Sequence, residues 1–151
     1  MLKLQIVESD VSNTEVAYRN GFTIYIPKGL DPLERHEKAK VALDVWMKGK
    51  VDKDVKSFIR VYSKKLQLFP KAFRIKDQKH LWGSCGKDNI ININWKLIQA
   101  PKQILEYVVV HEICHLKHRN HSDAFWTLVG SVFSEVDRCK RWFGSNEEWD
   151  L

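Results

Sequence analysis

The stretch VVVHEICHLKHRNHSDAFW, residues 108 to 126, constrains this chain more than any other. Three valines run directly into His111 and Glu112, so a helix here is buried where its polar groups begin. A carboxylate at such a position is costly unless something compensates its charge. His111 and His115 are four residues apart, which places them about 40° apart around a helix axis and roughly 6 Å along it. Two imidazoles on one helical face can converge on a single metal ion. Zinc suits them, since it binds neutral imidazole at about 2.0–2.1 Å. Glu112, beside the first histidine, projects next to such an ion rather than onto it. There it can take a proton from an activated water, the role of the glutamate in an HExxH helix.

A third ligand is required to complete an open catalytic site. His121, six residues past His115, is the expected one, with the helix ending between them and Asn120 near its terminus. Glu135, twenty residues past His115, is the rival. If His121 binds zinc, Glu135 is a solvent-facing or supporting carboxylate. His118 is expected to be exposed, at the rim of the site. Cys114 points away from the ligand face and belongs to the core.

With 151 residues, 44% hydrophobic and 29% charged, the composition is that of an ordinary soluble globular chain, read as one domain over 1–151. No apolar run approaches the roughly 20 residues of a membrane span, and the first residues lack the pattern of a secretory signal. Three widely spaced cysteines argue against a disulfide framework, so a reducing cytoplasm is expected. The formal net charge is +6, concentrated at residues 34–76 with thirteen Lys/Arg against five Asp/Glu. That excess is consistent with a solvated helical face, or with weak association with nucleic acid or an acidic partner. Oligomeric state is not legible from the sequence.

Along the chain, TEVAYR and GFTIYIP around Asn20-Gly21 read as a β-hairpin. Residues 33–48 and 52–67 read as two amphipathic helices, the first with a stripe of Val41, Val45 and Trp46, the second with Val55, Phe58, Ile59 and Tyr62. AFRIK and IININ are expected strands on either side of a turn region, LWGSCGKDN. If IININ were a sheet edge above the metal, Asn92 and Asn94 would flank an extended substrate. A helix is expected from Pro101 to about Arg119, and another from Ser122 or Asp123 to about Trp142, burying Phe125, Val129, Val132, Val136 and Cys139.

The WGSC turn, the N-I-x-I-N strand, the N-W-x-L-I-x-A-P link, HExxH and the closing N-H-S-x-x-F-W together resemble the YgjP-like family of predicted zinc metallopeptidases. The likeness is close over 81–126 and looser before it. SprT-like and WLM-type proteases share the HExxH, histidine and phenylalanine arrangement. The resemblance implies an α+β zincin-type fold, with a small antiparallel or mixed sheet and the metal helix packed on a C-terminal helix. It also implies zinc held by His111, His115 and His121, and Glu112 as general base acting on a peptide or protein substrate. Two departures stand out. Leu81 occupies the position before the tryptophan where the family usually has arginine, and His118 stands where metzincins have glycine, with neither Met1 nor Met47 placed for their methionine turn. Trp82 is expected to anchor the core. Cys85 is expected as a buried free thiol, with an inhibitory zinc contact as the alternative. Hydrolysis of a non-peptide substrate, or a structural zinc in a nucleic-acid-associated module, are the competing functions.

Overall fold

The computed structural model describes residues 3–19, 21–78 and 81–145. The chain divides into two compact units, Met1–Gly49 and Lys50–Leu151. Among the described residues no helix is long and apolar enough to cross a membrane.

The first unit contains β1 (Leu4–Ser9), β2 (Glu15–Tyr18), β3 (Phe22–Pro27) and the start of α1 (Pro32–Leu66). β3 is central, parallel to β1 and antiparallel to β2. β2 and β3 form the expected hairpin, with Tyr18 paired to Phe22; Asn20 itself lies outside the described residues. Gly21 is required there. Its φ is +145°, and a Cβ would stand 2.7 Å from the Lys3 carbonyl oxygen. Alternation along β3 buries Phe22, Ile24 and Ile26, the last two with Ala39 of α1.

α1 is one helix where two were expected. Gly49 weakens a helix by about 1 kcal/mol relative to alanine but carries no ring to clash, so the helix continues through it. The Lys50–Asp54 pair, four residues apart at 2.9 Å, spans the following turn. The sequence reads as two helices because the apolar stripes serve separate cores: Ala39 and Leu43 in the first unit, Val51, Val55 and Tyr62 in the second. Val41 and Val45, expected to be buried, are 62% and 65% exposed.

In the second unit, β4 (Ala72–Lys76), β5 (Gly83–Cys85) and β6 (Ile90–Asn94) form a mixed sheet in the order β4-β6-β5. The start of the expected turn region is therefore strand β5, and the reversal is confined to Gly86–Asn89. Asn89 there adopts the left-handed conformation, φ 62°. A short 3-10 helix, Trp95–Gln99, leads to α2 (Lys102–Cys114), then α3 (Asp123–Val132) and α4 (Val136–Gly144). α2 is apolar on nearly every side and is correspondingly buried, packed on β5, β6, α3 and α4. The metal-helix-on-C-terminal-helix arrangement of an α+β zincin-like domain is present.

Two expectations fail here. The last helix is broken at Phe133, which turns extended and buries its ring, so α3 and α4 are separate and Val132 and Val136 are only half-buried. β6 is the centre of its sheet, not an edge, so its asparagines cannot flank a substrate strand. Asn94 is fully buried and structural: its amide donates to the carbonyls of Gln78 (2.8 Å) and Leu81 (3.0 Å), and its oxygen accepts from the Lys96 N–H (3.0 Å). Replacing it strands three backbone groups. Asn94→Ala should lower unfolding free energy by roughly 2–4 kcal/mol in chemical denaturation; a loss below about 0.5 kcal/mol would refute this role.

Candidate metal centre

α2 ends at Cys114, five residues short of expectation. The N–H groups of Leu116 and Lys117 bond three residues back, to Ile113 and Cys114, tightening the last turn, and His118 N–H also bonds the Cys114 carbonyl. The reversal brings the His118 carbonyl within 2.9 Å of His115 Nδ1. A proton on Nδ1 donates to that oxygen, leaving a lone pair on His115 Nε2. Asn120, near the expected helix terminus, is not in the left-handed conformation. The chain then passes through His121 to Ser122, whose hydroxyl caps α3 by accepting from Phe125 N–H at 3.3 Å.

This path gathers the three imidazoles. His111 Nε2 lies 3.2 Å from His115 Nε2 and 3.1 Å from His121 Nε2, and the latter two are 3.1 Å apart. Ligand nitrogens at 2.0–2.1 Å from a tetrahedral zinc stand about 3.3–3.4 Å from one another, so the triangle fits that ion with one coordination position left open. A cation between them would meet the lone pairs of all three nitrogens at once, which shared N–H donors cannot do. Among the described residues this is the one cluster of three or more His, Cys, Asp or Glu side chains able to hold a metal. Glu135 is exposed at the N-terminus of α4 and outside the cluster.

Aromatic rings fix the imidazole planes. Phe125, fully buried, stacks on His115 with centroids 4.5 Å apart. Trp126 stacks on His121 at 5.7 Å, and the Lys140 ammonium sits 3.5 Å from the Trp126 ring centre. The F-W pair after His121 therefore has a physical role that the sequence left unexplained.

Glu112 is 1% exposed, and neither carboxylate oxygen has a hydrogen-bond partner. Burial raises its pKa to about 8. Burial, followed by the neighbouring His115 and His121, lowers His111 to about 3. Burial also lowers His115. Without a metal, the site thus favours neutral imidazoles and an uncharged acid; a divalent cation would favour the carboxylate. Gly83 makes room for this acid. A Cβ there would lie 2.8 Å from Val108 Cγ1 and 3.3 Å from Glu112 Cγ, so glycine lets β5 lie directly against the metal helix.

The other candidates take supporting places. Cys114 is buried in the core, as expected, and Trp82 likewise. Tyr107 is 1% exposed and packs edge-on to His111, away from solvent. Cys85 is half-buried at the end of β5 and outside the ligand cluster. Its Sγ is 3.5 Å from the Arg119 guanidinium. Arg119 was not anticipated. It donates to the Gly86 carbonyl at 2.8 Å and to Asn89 Oδ1, tying the loop that carries His118 and His121 to the β5–β6 turn. No short motif marks such a tie, because its partners lie about thirty residues away.

Three histidines able to hold a metal ion, gathered at the end of a core helix of an α+β fold that also buries a glutamate, are what a metallopeptidase of the zincin type requires. The chain belongs to the YgjP-like family, whose metallopeptidase domain model matches residues 2–146. It is thus a metallopeptidase, a hydrolase acting on peptides or proteins, and its histidine cluster suits zinc. Its fold is similar to the metallopeptidase zymogen of Pyrococcus abyssi abylysin, with 21% identity, a TM-score of 0.57, and coverage of 64% of this chain and 99% of that one. It is also similar to the metallopeptidase zymogen of Methanocaldococcus jannaschii jannalysin, at 21% identity and a TM-score of 0.54, covering 61% and 95%. No curated protein matches the sequence.

Two predictions follow from the site's electrostatics and its tie. In chelator-treated protein, the unfolded chain holds protons on His111 up to about pH 6.5 while the native one, with a pKa near 3, does not, so stability rises with pH over that range. His115 acts in the same direction. Native Glu112 holds a proton up to about pH 8 that the unfolded chain loses near 4.5, so its contribution falls across that window. Between about pH 6.5 and 8 the fall from Glu112 is what remains, and Glu112→Gln should abolish it over that window in denaturation curves; parallel profiles for variant and wild type would contradict this. Arg119→Ala should weaken zinc binding about tenfold in chelator competition, at the low end for groups supporting a ligand, with the metal-free fold retained. Unchanged zinc affinity would rule out the tie.

Proposed function

We propose that this protein hydrolyses peptide bonds at a zinc ion held by His111, His115 and His121, with Glu112 as general base. The observations carrying this reading are the triangle of ring nitrogens and, next to His111 on the same helix, a buried carboxylate that has no hydrogen-bond partner. Bound zinc supplies Lewis acidity, lowering the pKa of water from 15.7 toward about 7 and polarising a carbonyl. Glu112 removes the proton of the attacking water and delivers it to the leaving amine nitrogen, a role open to it because its carboxylate has no hydrogen-bond partner. The three imidazoles remain neutral throughout, with His115 held by the His118 carbonyl.

β5, not β6, is the strand whose free edge can take an extended substrate. It lies at the margin of its sheet and against α2, so its outer backbone can pair with an extended substrate. We assign residues 1–151 to one metallopeptidase-like domain, supported by the family match over 2–146. The free cysteines suit a cytoplasmic setting. No structural observation favours nucleic-acid association over a solvated basic face for residues 34–76.

Glu112→Gln should retain zinc and fold while peptide turnover drops by about 10²–10⁴; undiminished turnover would exclude Glu112 as the base. His121→Ala should sharply lower zinc affinity by metal analysis. If it binds zinc as wild type does, the third-ligand assignment fails.

A further inference from the structure

A second site lies in the same unit, lined by residues that take no part in the histidine cluster. Between the C-terminal half of α1 and β4 runs an apolar groove of about 280 Å³, formed by Ile59, Phe69, Pro70, Ala72 and Phe73. Phe69 forms one wall and is 64% exposed. Ser63 also lines the groove; it is only 3% exposed and its hydroxyl has no hydrogen-bond partner. A helical serine ordinarily satisfies itself on the preceding turn or in water. Arg60 and Lys64 complete the lining, and no acidic residue is among it.

The groove adjoins an open strand edge. β4 pairs with β6 on one side, and among the described residues no strand covers the other. Exposed Arg74 and Lys76 alternate along β4, and exposed Lys71 precedes it. Such charges guard an edge against indiscriminate pairing. They also select the occupant. Two copies of β4 paired about a two-fold axis would bring like charges together, which opposes self-association. A chain with carboxylates meets the opposite case.

We propose that this groove and the outer edge of β4 dock an extended acidic peptide segment bearing a bulky apolar side chain. The segment adds to β4 as a further strand, using main-chain hydrogen bonds for affinity. Its apolar side chain fills the space beside Phe69 and Phe73, and its carboxylates face Arg60 and Lys64. In a peptidase such a surface holds a protein substrate at a distance from the scissile bond, adding affinity without changing the chemistry.

The test uses zinc-loaded Glu112→Gln protein, so that the probe is not consumed, and a fluorescein-labelled decapeptide alternating glutamate and leucine, followed by fluorescence anisotropy. The peptide should bind, bind less well as salt is raised, and resist displacement by a zinc-directed hydroxamate. Combined Arg60→Glu and Lys64→Glu replacement should weaken binding at least about tenfold with zinc content unchanged. Failure of the peptide to bind, equal binding of a lysine-for-glutamate peptide, or indifference to the charge reversal would each overturn the proposal. Displacement by the hydroxamate would place the peptide in the metal site and overturn it too, leaving the metal chemistry intact. Preferential binding of a single-stranded oligonucleotide, lost on charge reversal, would replace the acidic peptide with nucleic acid.

Discussion

Three imidazole nitrogens gathered into a triangle about 3 Å on a side are the constraint on which the rest of the second unit depends. They cannot all be satisfied by one another, and His111 is too deeply buried to gain a proton above about pH 3. One residue further along, a carboxylate sits buried without a hydrogen bond. Each feature alone is destabilising. Together they are complementary, because a single divalent cation satisfies the nitrogens and favours the ionised acid. The site is thus a local conflict that folding creates and that a bound divalent cation would resolve.

The surrounding structure exists to hold that conflict in place. A helix buried on almost all sides carries His111 and Glu112 at fixed depth, and the tightened turn after Cys114 redirects the chain so that His121 returns to the same point. Phe125 and Trp126 set two ring planes, and the His118 carbonyl sets one tautomer. Gly83 admits β5 close enough to put a strand edge beside the acid. Asn94 closes the far end of that sheet by meeting backbone groups that would otherwise be buried alone. Rigid support of this kind separates a catalytic metal site from a chance cluster of histidines.

The site was legible in the sequence where its chemistry is local. His111, Glu112, His115 and His121 lie within eleven residues, and helical spacing alone brings the first three together. The strands β3, β4 and β6 were likewise marked by alternation or by an Asn-Gly turn. What could not be read depends on partners distant in the chain. Gly49 resembled a helix end because the apolar stripes on its two sides belong to different cores. The helix after Ser122 resembled one element because nothing local announces that Phe133 turns its ring inward. IININ was offered as an edge because alternation does not reveal how many neighbours a strand has. Arg119 had no signature at all, since its meaning lies in a turn about thirty residues earlier.

Zinc K-edge X-ray absorption on protein loaded with stoichiometric zinc tests the central claim most directly. Coordination by His111, His115 and His121 predicts a first shell of nitrogen and oxygen alone at about 2.0–2.2 Å, with imidazole scattering beyond it. A sulfur scatterer near 2.3 Å, or a folded protein that takes up no zinc, would contradict it.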